Sequence, residues 1–215
     1  LLSPDDMDAT VDPALAARLD NSGQSCNAAK RFIVIDELYD TFREKFSEKM
    51  LASTAGDPLA GESTYGPLSS LGAAEGLDEQ VKRAAAQGAT VERAGERDGA
   101  FFPPAVITDI KPDTDAYREE FFGPVASLYR VSSEEEAIKV ANDTPFGLGS
   151  YVFSTDPEQA ERVANSIDAG MVYINVVLAD SPELPFGGVK RSGIGREMGR
   201  FGVDEFVNKK LIRTI

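Results

Sequence analysis

The chain has 215 residues, 42% hydrophobic and 27% charged, enough for a sizeable core but short for two full domains. Its 36 acids against 22 bases leave a formal net charge of -14, which repels phosphate backbones and anionic membrane surfaces, so neither nucleic acid nor membrane is an expected partner. With no histidine and one cysteine, the chain alone can build no Ser-His-Asp triad, no Cys-His dyad, no His-based or Cys-rich metal site and no internal disulfide.

Apolar spacing predicts a helix over Asp5 to Leu19, a polar turn at Asn21 to Ser25, and a strand at Arg31 to Ile35 rich in branched residues. A second helix is expected over Glu37 to Ser53, where Leu38, Phe42, Phe46 and Met50 recur every four residues, and Gly56-Asp57-Pro58 stops it. Leu59 to Leu71 reads as loop and Ala74 to Gln87 as helix. Ala89 to Arg93, Ala105 to Ile110 and Ala126 to Val131 read as strands. Ser133 with Glu136 forms a capping-box pattern before a helix to Asn142, and Asp156-Pro157 supplies an N-cap and first-turn proline for a helix to Asp168. Gly149 to Ser154 and Met171 to Asn175 complete an α/β order of mostly parallel strands flanked by helices, and Arg196 to Ile215 reads as a short helix and a final strand.

Most lone intracellular cysteines are inert, buried small hydrophobes. Cys26 sits in Asn21-Ser22-Gly23-Gln24-Ser25-Cys26-Asn27-Ala28-Ala29-Lys30-Arg31, where glycine and small polar residues suit a tight turn whose N–H groups can face a carbonyl oxygen. Glu120, read by charge patterning alone, is a solvated acid in an acidic run. Gly193-x-Gly195-x-x-x-Gly199 is not a dinucleotide fingerprint, because its third glycine is one residue late and no strand leads into it.

The cysteine segment resembles that of the aldehyde dehydrogenase superfamily. Glu120-Phe121-Phe122-Gly123-Pro124, Asn142-Asp143-Thr144-Pro145-Phe146-Gly147-Leu148 and Pro185-Phe186-Gly187-Gly188 through Glu197 are similar to further family motifs, in the same order. Asn21 to Val34 and Val172 to Glu197 most resemble the bacterial NADP-preferring succinate-semialdehyde dehydrogenases. The resemblance implies a catalytic Cys26 thiolate that attacks a small aldehyde, and hydride transfer to a bound NADP or NAD. It implies that Glu120 and Phe122 contact this cofactor, that Glu197 serves proton exit, and that Phe186, Ser181, Arg18 and Asn27 border the substrate. A carboxylate capping the last short helix is the plainer reading of Glu197.

The family's general-base segment, its oxyanion-hole asparagine and its cofactor-binding sheet precede the cysteine segment and are not in this sequence. Residues 1–215 are therefore expected to be the catalytic domain alone, inactive by itself, and homo-oligomeric in the whole protein. With Leu1 to Asp8 lacking signal-peptide character, a cytoplasmic location is expected. Two other readings stand beside this one: the same chemistry on another semialdehyde or aliphatic aldehyde, and a family-derived binding domain without turnover.

Overall fold

A computed structural model describes residues 1–3, 6–61 and 63–215, so the expected helix start at Asp5 lies outside the described residues. Helix α1 (Met7–Leu19) is capped by the Asp6 carboxylate, which accepts from the Asp8 and Ala9 N–H groups. Strand β1 (Arg31–Ile35) follows, then helix α2 (Asp36–Ala52), which buries Phe42, Phe46 and Met50 on one face. Helix α3 (Leu71–Ala86) starts three residues before its expected position, because the Ser70 hydroxyl accepts from the Ala73 N–H and carries the helix through Gly72.

Strands β2 (Thr90–Arg93) and β3 (Ala105–Thr108), a single helical turn α4 (Asp115–Arg118) and strand β4 (Val125–Val131) complete the first half. The four strands form one sheet in the order β1-β4-β3-β2, with β4 parallel to both β1 and β3, and β2 antiparallel to β3. Along β3 and β4, alternate residues enter opposite cores. Ala105, Ile107, Val125 and Tyr129 pack with α3 and α4, while Val106, Ala126 and Leu128 pack with α1 and α2. Burial on both faces explains why these strands read as nearly continuous apolar runs.

Helix α5 (Glu134–Asn142), strand β5 (Gly149–Val152), helix α6 (Pro157–Ser166) and strand β6 (Met171–Ile174) form a second unit, in which β5 and β6 pair in parallel. Leu2 and Ser3 lie alongside Phe153 and Ser154, and the Ile35 N–H donates to the Leu1 carbonyl, tying this unit to β1. Strand β6 ends at Ile174 because Asn175 turns left-handed, and its side chain closes on the Ser154 backbone in both directions. The expected final strand is a correction. Residues 202–206 form a 3-10 turn, and residues 207–215 pair with no strand among the described residues. A β-residue needs a partner edge for its hydrogen bonds, and none is offered there.

Candidate active site

The segment between α1 and β1 is held in a costly backbone shape. Asn21, Ser22 and Gly23 all have positive φ, at 48°, 60° and 74°, a region that costs an L side chain about 1–2 kcal/mol. Side chains from three directions maintain it. Arg18 Nη2 donates to the Gly23 carbonyl at 2.7 Å, Ser22 Oγ donates to the Gly66 carbonyl at 3.1 Å, and the Ser69 N–H donates to Gln24 Oε1 at 2.7 Å. Glycine at 23 is required by space as well, since a Cβ there would lie 2.2 Å from the Gly123 carbonyl oxygen.

The chain then turns at Ser25–Ala28, closed by the Ala28 N–H donating to the Ser25 carbonyl at 3.1 Å. This turn carries Cys26 with its side chain exposed. The Cys26 N–H meets no acceptor among the described residues, which leaves it free to donate to an oxygen next to the sulfur. A cavity of about 250 Å³ opens beside the thiol, between β1 and β5, bordered by Asn27, Glu120, Phe146, Tyr151 and Val177.

Lys30, four residues after the thiol, joins the candidate residues. Its ammonium donates to the carbonyls of Cys26 at 3.0 Å, Ala28 at 3.1 Å and Ser25 at 3.4 Å. It also lies 3.5 Å from Glu120 Oε1 and 5.4 Å from the centre of the Phe122 ring. Burial, with help from the Arg18 charge, pulls Lys30 down to about 8, against the opposing pull of Glu120 and Cys26. The structure thus brings Cys26, Glu120 and Phe122 to one place. Glu120 stays 37% exposed and Phe122 44% exposed, and a carboxylate with free lone pairs beside an open ring fits the hydroxyls of a nucleotide sugar.

Asn27 is held from both ends. Its Oδ1 accepts from the Ser25 hydroxyl at 2.7 Å, its Nδ2 donates to Asp180, and its carbonyl accepts from the Tyr151 hydroxyl at 3.1 Å. Asp180 also accepts from the Tyr173 hydroxyl at 2.5 Å, and burial together with that carboxylate pushes the Tyr173 phenol up. Asp180 and Tyr151 carry no local signal, because their contacts to Asn27 span more than a hundred residues, and Tyr173 reaches Asn27 only through Asp180.

The other expected site residues are held by contacts of their own. Arg18 is a correction: it is wholly buried under the turn, 0% exposed, and burial pulls its guanidinium down to about 9, so it supports Gly23 and does not reach a substrate. Ser181 donates to Glu183 Oε2 at 2.7 Å, and its chain neighbour Asp180 is bonded to Asn27 beside the thiol. Phe186 and Glu197 form an antiparallel bridge, with N–H to carbonyl distances of 2.7 and 2.8 Å. The Glu197 side chain is exposed, and the last 3-10 turn begins at Gly202, so the helix-capping reading of Glu197 does not hold. Among the described residues no group of three or more His, Cys, Asp or Glu could hold a metal ion, and no helix is long and apolar enough to cross a membrane.

Comparison with known proteins bears on the same residues. The model of the "Aldehyde dehydrogenase family" matches residues 1–212. A succinate-semialdehyde dehydrogenase (NADP(+)) of Deinococcus radiodurans is 49% identical over an alignment covering 100% of this chain and 46% of that protein. A succinate-semialdehyde dehydrogenase (NADP(+)) 1 of Mycobacterium ulcerans is 47% identical, covering 96% of this chain and 46% of its own length. Among solved structures, a succinic semialdehyde dehydrogenase from Streptococcus pyogenes in complex with NADP+ matches with a TM-score of 0.94 and 42% identity, over 100% of this chain and 48% of that one. The chain spans about half the length of the curated relatives it matches.

Proposed function

Because the chain belongs to the aldehyde dehydrogenase family, we propose that it is the thiol-bearing half of an NAD(P)-dependent enzyme that oxidises succinate semialdehyde to the acid. The observation that carries this reading is the exposed Cys26 on a strained, multiply anchored turn whose lysine also touches Glu120. The relatives' names supply the substrate and the preference for NADP.

On this reading the Cys26 thiolate attacks the aldehyde carbon, and the C=O π pair moves onto oxygen, where the Cys26 N–H donates to it. Glu120 binds sugar hydroxyls and Phe122 flanks them. A bound nicotinamide would supply the acceptor for the hydride that must leave this carbon. The resulting Cys26 thioester is hydrolysed by water, releasing the carboxylic acid and restoring the thiol. Residues outside 1–215 hold the rest of the cofactor and activate that water, and positioned bases of this kind contribute about 100-fold to 10,000-fold in rate.

The test compares the intact gene product containing this chain with residues 1–215 alone, following NADPH formation from succinate semialdehyde. The intact protein turns over, its Cys26→Ala variant does not, and the isolated chain neither turns over nor binds NADP in calorimetry. Normal turnover by Cys26→Ala would remove the thiol from the mechanism. Turnover by residues 1–215 at the intact rate would place a complete cofactor site within them.

A further inference from the structure

We propose that Lys30 is a positioning residue that locks the Cys26 turn to Glu120, so that the nucleophile and the sugar-binding carboxylate are held as one unit. The inference rests on the roles given to Cys26 and Glu120 under Proposed function. An ammonium has three protons. Four oxygens compete for them: the Cys26 and Ala28 carbonyls at 3.0 and 3.1 Å, and the Ser25 carbonyl and Glu120 at 3.4 and 3.5 Å. A neutral amine has only two protons and a lone pair that carbonyl oxygens repel, so loss of one proton must release part of this set.

The charged groups facing Lys30 come from every side of it. Arg18 lies beneath on α1, Glu120 comes from the segment ahead of β4, and Cys26 is on the lysine's own turn. Burial and Arg18 favour the neutral amine while Glu120 and Cys26 favour the ammonium, which leaves the group titrating at about 8. The side chain is only 12% exposed, so water cannot readily replace the contacts it gives up. A lysine that merely stabilised the turn would have no coupling to Glu120, and that difference can be measured.

The experiment uses the intact gene product, with Lys30→Met, Lys30→Arg, Glu120→Gln and the double variant Lys30→Met with Glu120→Gln. Lys30→Met and Glu120→Gln are each expected to raise KM for NADP about tenfold, and the double variant to be no worse than Glu120→Gln alone, because both remove the same unit. Lys30→Arg keeps its charge through the window in which Lys30 titrates and is expected to restore most of the loss. Independently, Cys26 alkylation by iodoacetamide is followed by peptide mass spectrometry against pH; the thiol's own ionisation shapes every profile, so each rate is divided by that of Lys30→Arg, and this ratio is expected to break near pH 8 for the wild type and to stay level for Lys30→Met. In Glu120→Gln the break moves to lower pH, which keeps the idea testable even if Lys30→Met fails to fold. Multiplying KM effects in the double variant, or alkylation profiles identical in all variants, would overturn the proposal. If the wild type oxidises no aldehyde, the functional reading fails while the alkylation profiles still decide whether Lys30 controls Cys26.

Discussion

At Gly23 the backbone is left-handed and the absent Cβ leaves room for the Gly123 carbonyl. An alanine there meets both a torsional cost and an overlap, so Gly23→Ala should destabilise the chain by about 2–5 kcal/mol, measured from urea unfolding midpoints. An unchanged midpoint would mean the turn tolerates side chains and is not held as described. Cys26 is the only thiol in residues 1–215 and is exposed. Native alkylation of this chain should therefore add one label without denaturant, and full protection until unfolding would return Cys26 to the class of buried cysteines. The thiol and its glycine were legible from type and spacing. Lys30, four residues on, carried the same local signal, but its Glu120 contact joins positions 90 apart along the chain.

Among the elements, the two helix starts with complete capping signals formed where the sequence placed them. Ser133 Oγ accepts from the Glu136 N–H, although Glu136 Oε2 returns to the Ser132 N–H instead of to that of Ser133, a box displaced by one residue. Asp156 caps α6 with Pro157 in its first turn, as expected. Helix α3 is tied to strand β2 through Asp78, which accepts from Arg93 Nη1 at 2.8 Å and pairs with Lys82 at 2.6 Å; these contacts hold its carboxyl below the usual range. Arg93 lies over the Phe102 ring, and its Nε and Nη2 find no hydrogen-bond partner among the described residues. Asp78→Ala would leave that guanidinium without its carboxylate in a largely buried place, and should cost about 2–4 kcal/mol in thermal or urea unfolding. A loss under about 0.5 kcal/mol would show that the pair is solvated like an ordinary surface bridge.

For the whole molecule, the two buried cations beneath the thiol turn set a pH dependence. Lys30 at about 8 and Arg18 at about 9 both bind protons less readily when folded than when unfolded. The unfolded chain therefore holds more protons above about pH 8, and stability rises with pH through that window. The gain between about pH 7.5 and about pH 9.5 should be on the order of 2 kcal/mol in denaturant titrations. Above about pH 10 the trend reverses, since burial pushes the Tyr65 and Tyr129 phenols up and the unfolded tyrosines ionise first. Stability falling steadily from about pH 7.5 to about pH 9.5 would contradict the burial of both cations.

Composition and pattern by themselves determined the α/β class, most strand and helix positions, the exclusion of histidine chemistry and the segment carrying the exposed thiol. Each of these is written in neighbouring residues: alternation in strands, four-residue recurrence in α2, caps at α5 and α6, a glycine beside a thiol. Tertiary structure alone decided which polar side chains meet around the thiol turn. It sent Arg18 beneath the turn, brought Asp180 and Tyr151 to Asn27, and left residues 207–215 without a strand partner among the described residues. A side chain's partner depends on which surfaces the packed sheet and helices bring together, and a strand exists only where another edge receives its hydrogen bonds. Neither condition is local, so neither can be read from the order of residues along the chain.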